Sequence, residues 1–332
     1  MTESRAKATL IGDRGEAAVG EDFFRSRPFL DAEGVTHTLR IETERGAEEA
    51  MTLVAPLIVR EISEGPERDA ISPYGYPGLA LPARVRPLSR YTGQKTNASA
   101  GSLDPAEIDF SAAGLVSVFL RNRLGAPPLA GATERNVVQI ADPALEPKSR
   151  PTDRRQVRRN LEAGYELELV PGGDTSPTHR AGFLDLYEQT MRRTGAAEHY
   201  FFGAAYFDRI LEADRTWLAL ARAPGGELAA ASIAAVSDGY LHYYLSGSAD
   251  SHLRDSPMKN VVARLVEHSV ELSLPLNLGG GISRGDALEE FKRGFANREQ
   301  PWHTSELICD REAYERLSRG RASSDFFPAY RA

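Results

Sequence analysis

Apolar residues recur along the first half of this chain with the spacing of strands in most places and of helices in a few. Residues 36–41 alternate polar and apolar side chains, as a half-buried strand does. Residues 51–60 (MTLVAPLIVR) form an almost continuous apolar run, which is typical of a central strand. The spacing over residues 110–124 predicts a helix packed on a sheet, residues 16–24 a short helix, and residues 137–140 a further strand.

The second half has a clearer order of elements. We predict helices over residues 154–163, 181–194 and 206–213, and then strands over residues 217–222, 227–237 and 240–246. A helix over residues 259–272, a strand (274–278), a helix (286–295), a strand (305–309) and a helical tail follow. This order resembles that of the GNAT fold, an α+β fold with a mixed sheet, and the first half is compatible with a degenerate version of it.

The chain is long enough for two domains. At 332 residues it exceeds the size at which one hydrophobic core stops growing. Residues 142–151 carry three prolines and several charges, which indicates a linker. We therefore predict two tandem GNAT-like domains, with mixed, mostly antiparallel sheets flanked by helices, over residues 1–150 and 151–332. The sequence leaves open whether the C-terminal tail packs on the first domain.

Composition narrows the class of protein. Hydrophobic residues make up 41% and charged residues 26%, as in an ordinary globular protein. The first residues have no apolar core of a signal peptide, and no apolar run is long enough to cross a bilayer. Cys309 is the single cysteine, which excludes an internal disulfide and a Cys-cluster metal site. We predict a cytoplasmic protein without membrane insertion.

One basic segment stands out in an acidic protein. The net charge of −7 argues against a general nucleic-acid binder, yet residues 150–160 (RPTDRRQVRRN) carry five arginines and one aspartate. On a helix, Arg154 and Arg158 are i and i+4, as are Arg155 and Arg159, so the four guanidinium groups form a double stripe. Two interpretations stay open: a solvated face at a domain junction, or a surface that binds the phosphates of tRNA or of a phosphorylated acceptor.

The common catalytic motifs are missing from the sequence. There is no GxxxxGK[ST] loop, no HExxH and no GxGxxG after a strand. The seven histidines include no pair at metal-ligand spacing. We therefore expect a reaction that needs no metal, no dinucleotide and no ATP.

A glycine-rich turn precedes the most informative helix. Residues 276–281 read LNLGGG, and Asp286 with Glu289 three positions later is typical of a helix start. Along that helix Lys292 borders an apolar face that contains Phe291. From spacing alone, this is either an ordinary strand-to-helix turn whose lysine lays its stem along the core edge, or the site of the chemistry.

The same residues carry a resemblance to a known family. A glycine-rich strand end, an acidic residue and an FKxxF-like helix, here FKRGF over residues 291–295, resemble the Fem family of non-ribosomal peptidyltransferases. Further matches follow in order at residues 154–164, 187–194 (YEQTMRRT) and 244–248 (YLSGS). The resemblance is good over residues 150–309 and weak over residues 36–78, and its specific part is the FK motif.

The resemblance implies an aminoacyl-tRNA-dependent transferase that forms an amide bond on the amine of a small acceptor. Lys292 would be the catalytic group, and an ammonium there could stabilise the oxyanion formed when an amine attacks the ester. The predicted contacts to the donor tRNA are Phe291, stacked on the terminal adenosine, and Arg154, Arg155, Arg158, Arg159 and Arg293. Aminoacyl-tRNA would be the co-substrate, with no cofactor, and the second domain would bind it.

The acceptor side is less defined. Residues 69–78 (DAISPYGYPG) hold Tyr74 and Tyr76 on a loop fixed by proline and glycine. They line an acceptor pocket together with Tyr244 and Arg192, or else form a rigid turn with the rings packed beneath it. The sequence has no match to the basic residues with which peptidoglycan members of the family bind pyrophosphate. We expect a peptide or amino-acid-derived natural product, as in antibiotic biosynthesis, ahead of a peptidoglycan precursor.

Two other hypotheses remain. Acyl-CoA-dependent N-acyltransferases bind pyrophosphate on the backbone amides of an [RQ]xxGx[GA] loop. In this chain residues 252–260 read HLRDSPMKN: no glycine follows Arg254 at the required positions, Asp255 adds negative charge, and Pro257 removes an amide donor. The second hypothesis is a catalytically inactive binding module, which would keep the fold without needing Lys292.

Overall fold

The chain divides into two compact units. The computed structural model describes residues 6–18, 22–43, 51–62, 65–82, 103–321 and 326–332. The first unit is drawn from residues 1–20, 24–135 and 302–332, and the second from residues 21–23 and 136–301. The division therefore falls between Arg135 and Asn136, ahead of the proline-rich segment 142–151, and the C-terminal residues belong to the first unit.

The strands of the described residues, in chain order, are β1 (Ala6–Ile11), β2 (His37–Thr43), β3 (Met51–Glu61), β4 (Arg68–Ile71), β5 (Ile108–Asp109), β6 (Ser117–Arg121), β7 (Thr133–Ala141), β8 (Glu166–Pro171), β9 (Thr216–Arg222), β10 (Leu228–Ser237), β11 (Tyr240–Ser248), β12 (Leu276–Asn277) and β13 (Arg298–Ile308). In the first unit the order is β5-β1-β2-β3-β4-β6, with residues 304–308 of β13 antiparallel to β6. The pairs β5–β1 and β4–β6 are parallel, and the other pairs of this unit are antiparallel.

The core of the first unit follows from the alternation that the sequence shows in β2. Leu39 and Ile41 are fully buried, whereas Arg40 is half-buried and Glu42 is exposed. The helix Arg27–Ala32 begins at Ser26, whose hydroxyl accepts the backbone N–H of Phe29. The remaining helix described in this unit is Arg311–Ser318.

The C-terminal segment docks through buried polar groups of the first unit. The Tyr330 hydroxyl lies 2.7 Å from Ser117 Oγ and donates to Asp69 Oδ2 at 3.1 Å. Asp69 is fully buried and also accepts from Arg60 Nε at 2.9 Å. These contacts attach the tail to β4 and β6.

The helix predicted over residues 110–124 is wrong. A short 3-10 turn at Ser111–Ala113 ends at Gly114, whose φ of 61° breaks the helical path, and β6 follows. β6 is held between β4 and β13, so Val118 and Leu120 are completely buried. A short apolar run of this kind fits a buried strand as well as a helix face, and only the neighbouring strands decide between them.

In the second unit the sheet order is β7-β12-β11-β10-β9-β8. The pair β11–β12 is parallel and the others are antiparallel. The helices described here are the arginine helix (Pro151–Glu162), the long helix (Pro177–Thr194), the short helix (Ala204–Leu211), the central helix (Met258–Leu272) and the lysine helix (Ala287–Arg293). The predicted fold class, α+β with mixed sheets flanked by helices, is confirmed.

The central helix packs on the small residues of the sheet. Val261, Val262 and Leu265 are fully buried and form one core with alanines of β9 and β10 such as Ala230 and Ala234. Alanine side chains let the helix approach the sheet closely, which explains the alanine-rich sequence of β10.

Two other differences from the sequence prediction concern local patterns. Strand β8 was not predicted, although its residues alternate Glu-Leu-Glu-Leu, and Leu167 and Leu169 pack on the core. The predicted helix over residues 16–24 contains the 3-10 turn Gly15–Ala17 and the start of another at Phe23–Arg25, while residues 19–21 lie outside the described part. In the described ranges, no helix has the length and apolar character needed to cross a membrane.

Candidate active site

The glycine-rich loop after β12 requires its glycines. Gly279 has a φ of +77°, in the left-handed region that favours glycine. A Cβ atom on Gly280 would lie 2.6 Å from the carbonyl oxygen of Val137, and one on Gly281 would lie 2.3 Å from Asp286 Oδ1. The loop therefore passes close to β7 and to the start of the lysine helix, at distances that no side chain allows.

Asp286 organises the turn that follows. Its carboxylate accepts the backbone N–H groups of Ile282 at 2.7 Å, Ser283 at 2.9 Å and Glu289 at 2.8 Å, which lowers the pKa of Asp286. The predicted helix start is confirmed. Glu289 does not complete a capping box. Its side chain accepts the N–H of Gly285 at 2.7 Å, whereas a capping box uses the N–H of the N-cap residue, which is Asp286 here.

Lys292 is buried beside this loop. Its side chain is only 8% exposed, and Nζ donates to the carbonyl oxygen of Gly280 at 2.6 Å. Burial lowers the pKa of Lys292 to about 8, against an opposing effect of the Asp286 charge. The sequence placed Lys292 at the border of the apolar face, whereas the structure buries it. At neutral pH the group is mostly an ammonium, with a pKa close enough to neutrality for proton transfer.

The neighbours of Lys292 are engaged in other contacts. Arg293 forms ion pairs with Glu289 and Glu290, and its Nε lies 3.4 Å from Glu299 Oε1. The guanidinium that the sequence assigned to tRNA is thus already neutralised by carboxylates. Phe291 is half-buried and packs edge-to-face on Phe295, with ring centroids 5.8 Å apart.

The apolar face predicted for the lysine helix is shorter than expected. Leu288 is 41% exposed, whereas Phe291 and Phe295 belong to the core of this unit. The helix has only seven residues and ends at Arg293, so Phe295 reaches the core from beyond its end.

The arginine helix contacts the end of the lysine helix. The backbone N–H of Arg150 donates to the carbonyl of Gly294 at 3.0 Å, and its guanidinium bonds Glu290 Oε2 at 2.5 Å. A Cβ atom on Gly294 would lie 2.4 Å from Asp153 Oδ2, so Gly294 leaves room for this carboxylate. Asp153 also pairs with Lys259 of the central helix at 2.8 Å. The fold thus joins two sequence features that lie about 140 residues apart.

The predicted stripe of arginines lies on the solvent side of that helix. Arg154, Arg155, Arg158 and Arg159 are all exposed. Arg154 bonds Ser149, while the guanidinium groups of the other three make no ion pair or hydrogen bond within the described part of the chain. The opposite side of the helix is polar and buried, where the Asn160 amide donates to Asn260 Oδ1 at 2.6 Å.

Tyr244 lies at an irregularity of the sheet. Ile233 is opposite Leu245 and Ala234 is opposite Tyr243, so Tyr244 is the extra residue of a β-bulge in β11. Bulges of this kind re-aim side chains next to functional sites. The Tyr244 hydroxyl lies 2.8 Å from that of Tyr206.

The other residues assigned to the acceptor are divided between the two units. Arg192, on the long helix, is exposed and pairs with Glu188 at 2.6 Å. Tyr74 and Tyr76 belong to the first unit, whereas Tyr244 and Arg192 belong to the second. Between the two tyrosines, Gly75 has a φ of +90°, and a Cβ there would lie 2.3 Å from the Phe24 ring.

The loop before the central helix offers few donors to a phosphate. The N–H groups of Ser256, Lys259 and Asn260 already donate to carbonyls of the same loop, at 3.0–3.1 Å. Pro257 has no N–H, and the Asp255 carboxylate accepts the Tyr165 hydroxyl at 2.8 Å. Three of the backbone N–H groups in this loop are therefore already occupied, and Asp255 places a carboxylate beside them.

Sequence reasoning missed two buried residues behind the glycine-rich loop. Asn277 Oδ1 accepts the N–H of Gly279 at 2.9 Å, and its amide nitrogen lies 3.0 Å from His242 Nδ1. Burial lowers the pKa of His242 to about 4. The signal available in the sequence was an asparagine two positions before the first of three glycines. In the described ranges no group of His, Cys, Asp and Glu is arranged to hold a metal ion.

Known proteins share this fold. Residues 147–293 match the family model described as an acetyltransferase (GNAT) domain. The structure of FemX superposes with a TM-score of 0.59 at 11% identity, covering 91% of this chain and 96% of that one. L-PGS from Bacillus licheniformis gives a TM-score of 0.53 at 12% identity, over 78% of this chain and 82% of its own.

A third solved structure agrees. It is the C-terminal domain (DUF2156) of a putative lysylphosphatidylglycerol synthetase from Agrobacterium fabrum, with a TM-score of 0.52 at 14% identity, covering 79% of this chain and 82% of that one. No curated protein sequence matches significantly. The likeness to FemX extends over most of the chain, and the GNAT model falls on the residues that contain the arginine and lysine helices. The chain therefore contains a GNAT-type domain over residues 147–293 and has the fold of FemX.

Proposed function

We propose that the protein transfers an aminoacyl group from aminoacyl-tRNA to the amine of a small acceptor. One observation supports this proposal above all. The lysine helix, which carries the buried Lys292, contacts the arginine helix through Arg150 and Asp153. A desolvated cation and a surface of uncompensated guanidinium groups thus lie on two helices that contact each other. An aminoacyl-tRNA can use both, because it carries a reactive ester at the end of a sugar-phosphate backbone: the cation suits the ester, and the guanidinium groups suit the phosphates.

The chemistry requires little beyond orientation and charge stabilisation. The acceptor amine attacks the ester carbonyl, the C–N bond forms, and the C–O bond to the ribose breaks. The proton lost by the amine goes to the leaving ribose hydroxyl, directly or through water. The Lys292 ammonium stabilises the negative charge on the carbonyl oxygen, and a fixed cation in a site of low polarity is effective at this.

The exposed arginines supply the contact to the donor. Arg155 and Arg159 lie one above the other, ~6 Å apart along the helix axis. Guanidinium groups form paired hydrogen bonds with phosphate oxygens, so this face suits the backbone of an RNA acceptor end. Phe291, which is half-buried beside Lys292 in the chain, is the proposed stacking surface for the terminal base.

Similar proteins support the same class of reaction. FemX shares the fold, and the resemblance of the FK motif to the Fem family implies aminoacyl-tRNA as the donor. The name lysylphosphatidylglycerol synthetase also specifies an aminoacyl product. We further propose a cytoplasmic enzyme without a metal or other cofactor, whose acceptor is a peptide or amino-acid-derived amine, with a peptidoglycan precursor as the second choice.

The loop before the central helix argues against acyl-CoA as the donor. A pyrophosphate there would meet Asp255 and backbone amides that already have acceptors. Its binding would break those hydrogen bonds and bring like charges together, and both effects cost free energy.

The deciding experiment compares two donors on the same protein. Binding of charged bulk tRNA and of acetyl-CoA is measured side by side at low and moderate salt, followed by transfer of a radiolabelled amino acid to candidate amines. We expect salt-sensitive binding of tRNA and none of acetyl-CoA. Binding of acetyl-CoA without tRNA would overturn the proposal in favour of an N-acyltransferase, and binding of neither would favour an inactive module.

Charge reversal tests the arginine surface. We expect Arg155→Glu/Arg159→Glu to weaken tRNA binding and to reduce the slope of log Kd against log salt by about 2, since each lost phosphate contact removes about one unit. The control is Arg311→Glu/Arg319→Glu, which changes the net charge equally at exposed positions of the first unit. If the two double variants weaken tRNA binding equally, the arginines of this helix form only a solvated face.

A further inference from the structure

A row of buried polar groups crosses three neighbouring strands behind the glycine-rich loop. Ser237 ends β10, His242 lies in β11, and Asn277 lies in β12 directly opposite His242. All three are at most 2% exposed. Buried polar groups cost free energy unless their hydrogen bonds are satisfied, so the partners in this row determine what it does.

Each hydrogen bond in the row fixes the direction of the next. The Ser237 carbonyl can only accept, so His242 donates to it from Nε2 at 3.1 Å. A neutral imidazole then presents Nδ1 as an acceptor, and the Asn277 amide nitrogen donates to it at 3.0 Å. The amide oxygen of Asn277 must consequently face the other way, towards the N–H of Gly279, which it accepts at 2.9 Å.

The row ends at the N–H of Gly279, one residue before the carbonyl that holds Lys292. Gly279 has a left-handed backbone and its own carbonyl accepts the N–H of Gln139 at 3.1 Å, while the carbonyl of the following residue, Gly280, accepts from Lys292 Nζ at 2.6 Å. A Cβ on Gly279 would lie 3.1 Å from Nζ, so the backbone and the ammonium are in direct contact. Asn277 therefore fixes one end of the two-residue segment Gly279–Gly280, whose other end is bonded to Lys292.

We propose that Asn277 and His242 are positioning residues, which fix the Gly280 carbonyl and through it hold the Lys292 ammonium in its buried place. The proposal rests on the catalytic role assigned to Lys292 above, and it adds the two residues that determine its geometry. Neither of them is proposed to touch substrate.

The charged groups around the row are compatible with this role. The carboxylates of Asp22 and Asp238 act on His242 and raise its pKa, but burial has the larger effect and keeps the ring neutral. The Tyr240 ring lies 6.0 Å from the imidazole, and Asp286 is the charge that acts on Lys292. The row therefore keeps one set of donors and acceptors over the pH range in which Lys292 titrates.

The test follows the titration of Lys292 itself. The chain has only five lysines, so protein labelled with 13C at the lysine ε-carbon gives few NMR signals, which Lys→Arg variants assign. Lys259 serves as an internal reference because it is ion-paired with Asp153 in the same unit. The titration needs no substrate, so it stands even where the proposed transfer activity fails.

Four variants separate positioning from general stability. Asn277→Ala removes the hydrogen bonds from Asn277 to His242 and Gly279, and His242→Leu removes those of the imidazole. His242→Asn keeps a hydrogen-bond acceptor near the position of Nδ1. Thr216→Val is the matched control: Thr216 is buried in β9, and its hydroxyl donates to the Ala213 carbonyl at 2.7 Å, away from the loop. If Asn277→Ala does not fold, Asn277→Ser, which cannot reach His242, replaces it.

We expect Lys292 to titrate near pH 8 in the unmodified protein. In Asn277→Ala and His242→Leu its pKa should rise by more than about one unit towards the value of a solvated lysine. In His242→Asn and Thr216→Val the pKa of Lys292 should be unchanged. An unchanged Lys292 titration in folded Asn277→Ala or Asn277→Ser would overturn the proposal, as would an equal shift in Thr216→Val.

Discussion

Two strand-to-helix loops of the second unit differ in the charge that they place beside the backbone. The loop after β12 leads into the lysine helix through three glycines and brings a carbonyl oxygen to a buried ammonium. The loop after β11 leads into the central helix through the 3-10 turn Asp250–Asp255 and Pro257, and its amides bond its own carbonyls. The first loop is built around a cation, and the second presents a carboxylate and few unused donors.

The difference shows that a GNAT-type chain can place a candidate catalytic group at either of two loops. A phosphate loop depends on free backbone N–H groups at a helix start, and those of Ser256, Lys259 and Asn260 are occupied at the start of the central helix. A desolvated cation depends instead on close packing of backbone around it, and the glycines provide this around Lys292. The preference for a tRNA ester over acyl-CoA rests on this contrast, and each prediction below tests one side of it.

The largest effect is expected from removing the cation. Lys292→Ala should lower turnover about 10²–10³-fold, the usual cost of losing one oxyanion-stabilising group. Circular dichroism and thermal unfolding should show a folded protein. Lys7→Ala, an exposed lysine of the first unit, is the control and should behave as the unmodified enzyme. Near-normal turnover of Lys292→Ala would remove this residue from the mechanism.

Adding one carbon to the loop should have the next largest effect. A Cβ on Gly280 would lie 2.6 Å from the Val137 carbonyl, so Gly280→Ala must move the peptide to which Lys292 is bonded. Displacements of this size cost roughly 10- to 100-fold in rate. The matched control in the other loop is Ser256→Gly, where φ is already 50° and glycine is tolerated. Similar rate losses in both variants would show that the two loops are equivalent.

The smallest effect is expected from pH. The active form of Lys292 is the ammonium and its pKa is about 8, so turnover should fall as pH rises through 8. The loss above that pH should approach tenfold per unit, measured at saturating substrate. Lys292→Arg keeps its charge throughout, and its remaining activity should show no such decline. A decline near pH 8 that persists in Lys292→Arg would assign it to another group.

Much of the site was predictable because it depends on local chemistry. The glycines after β12, Asp286 as a helix start and the stripe of arginines are all properties of short segments. Backbone conformation and helical spacing act within a few residues, so a single sequence reveals them. The strands β2 and β3 were predictable for the same reason, since their apolar patterns are long and regular.

Contacts between distant segments decided the rest. The sequence showed an apolar run at residues 117–121, but only β4 and β13 on either side make it a strand. It showed Lys292 and the arginines, but not that Asp153 fills the space above Gly294. The burial of Lys292 and the row through His242 and Asn277 arise where segments far apart in sequence meet. The sequence alone thus determined which residues can do chemistry, and tertiary packing, which sets burial and partners, decided which of them are placed to do it.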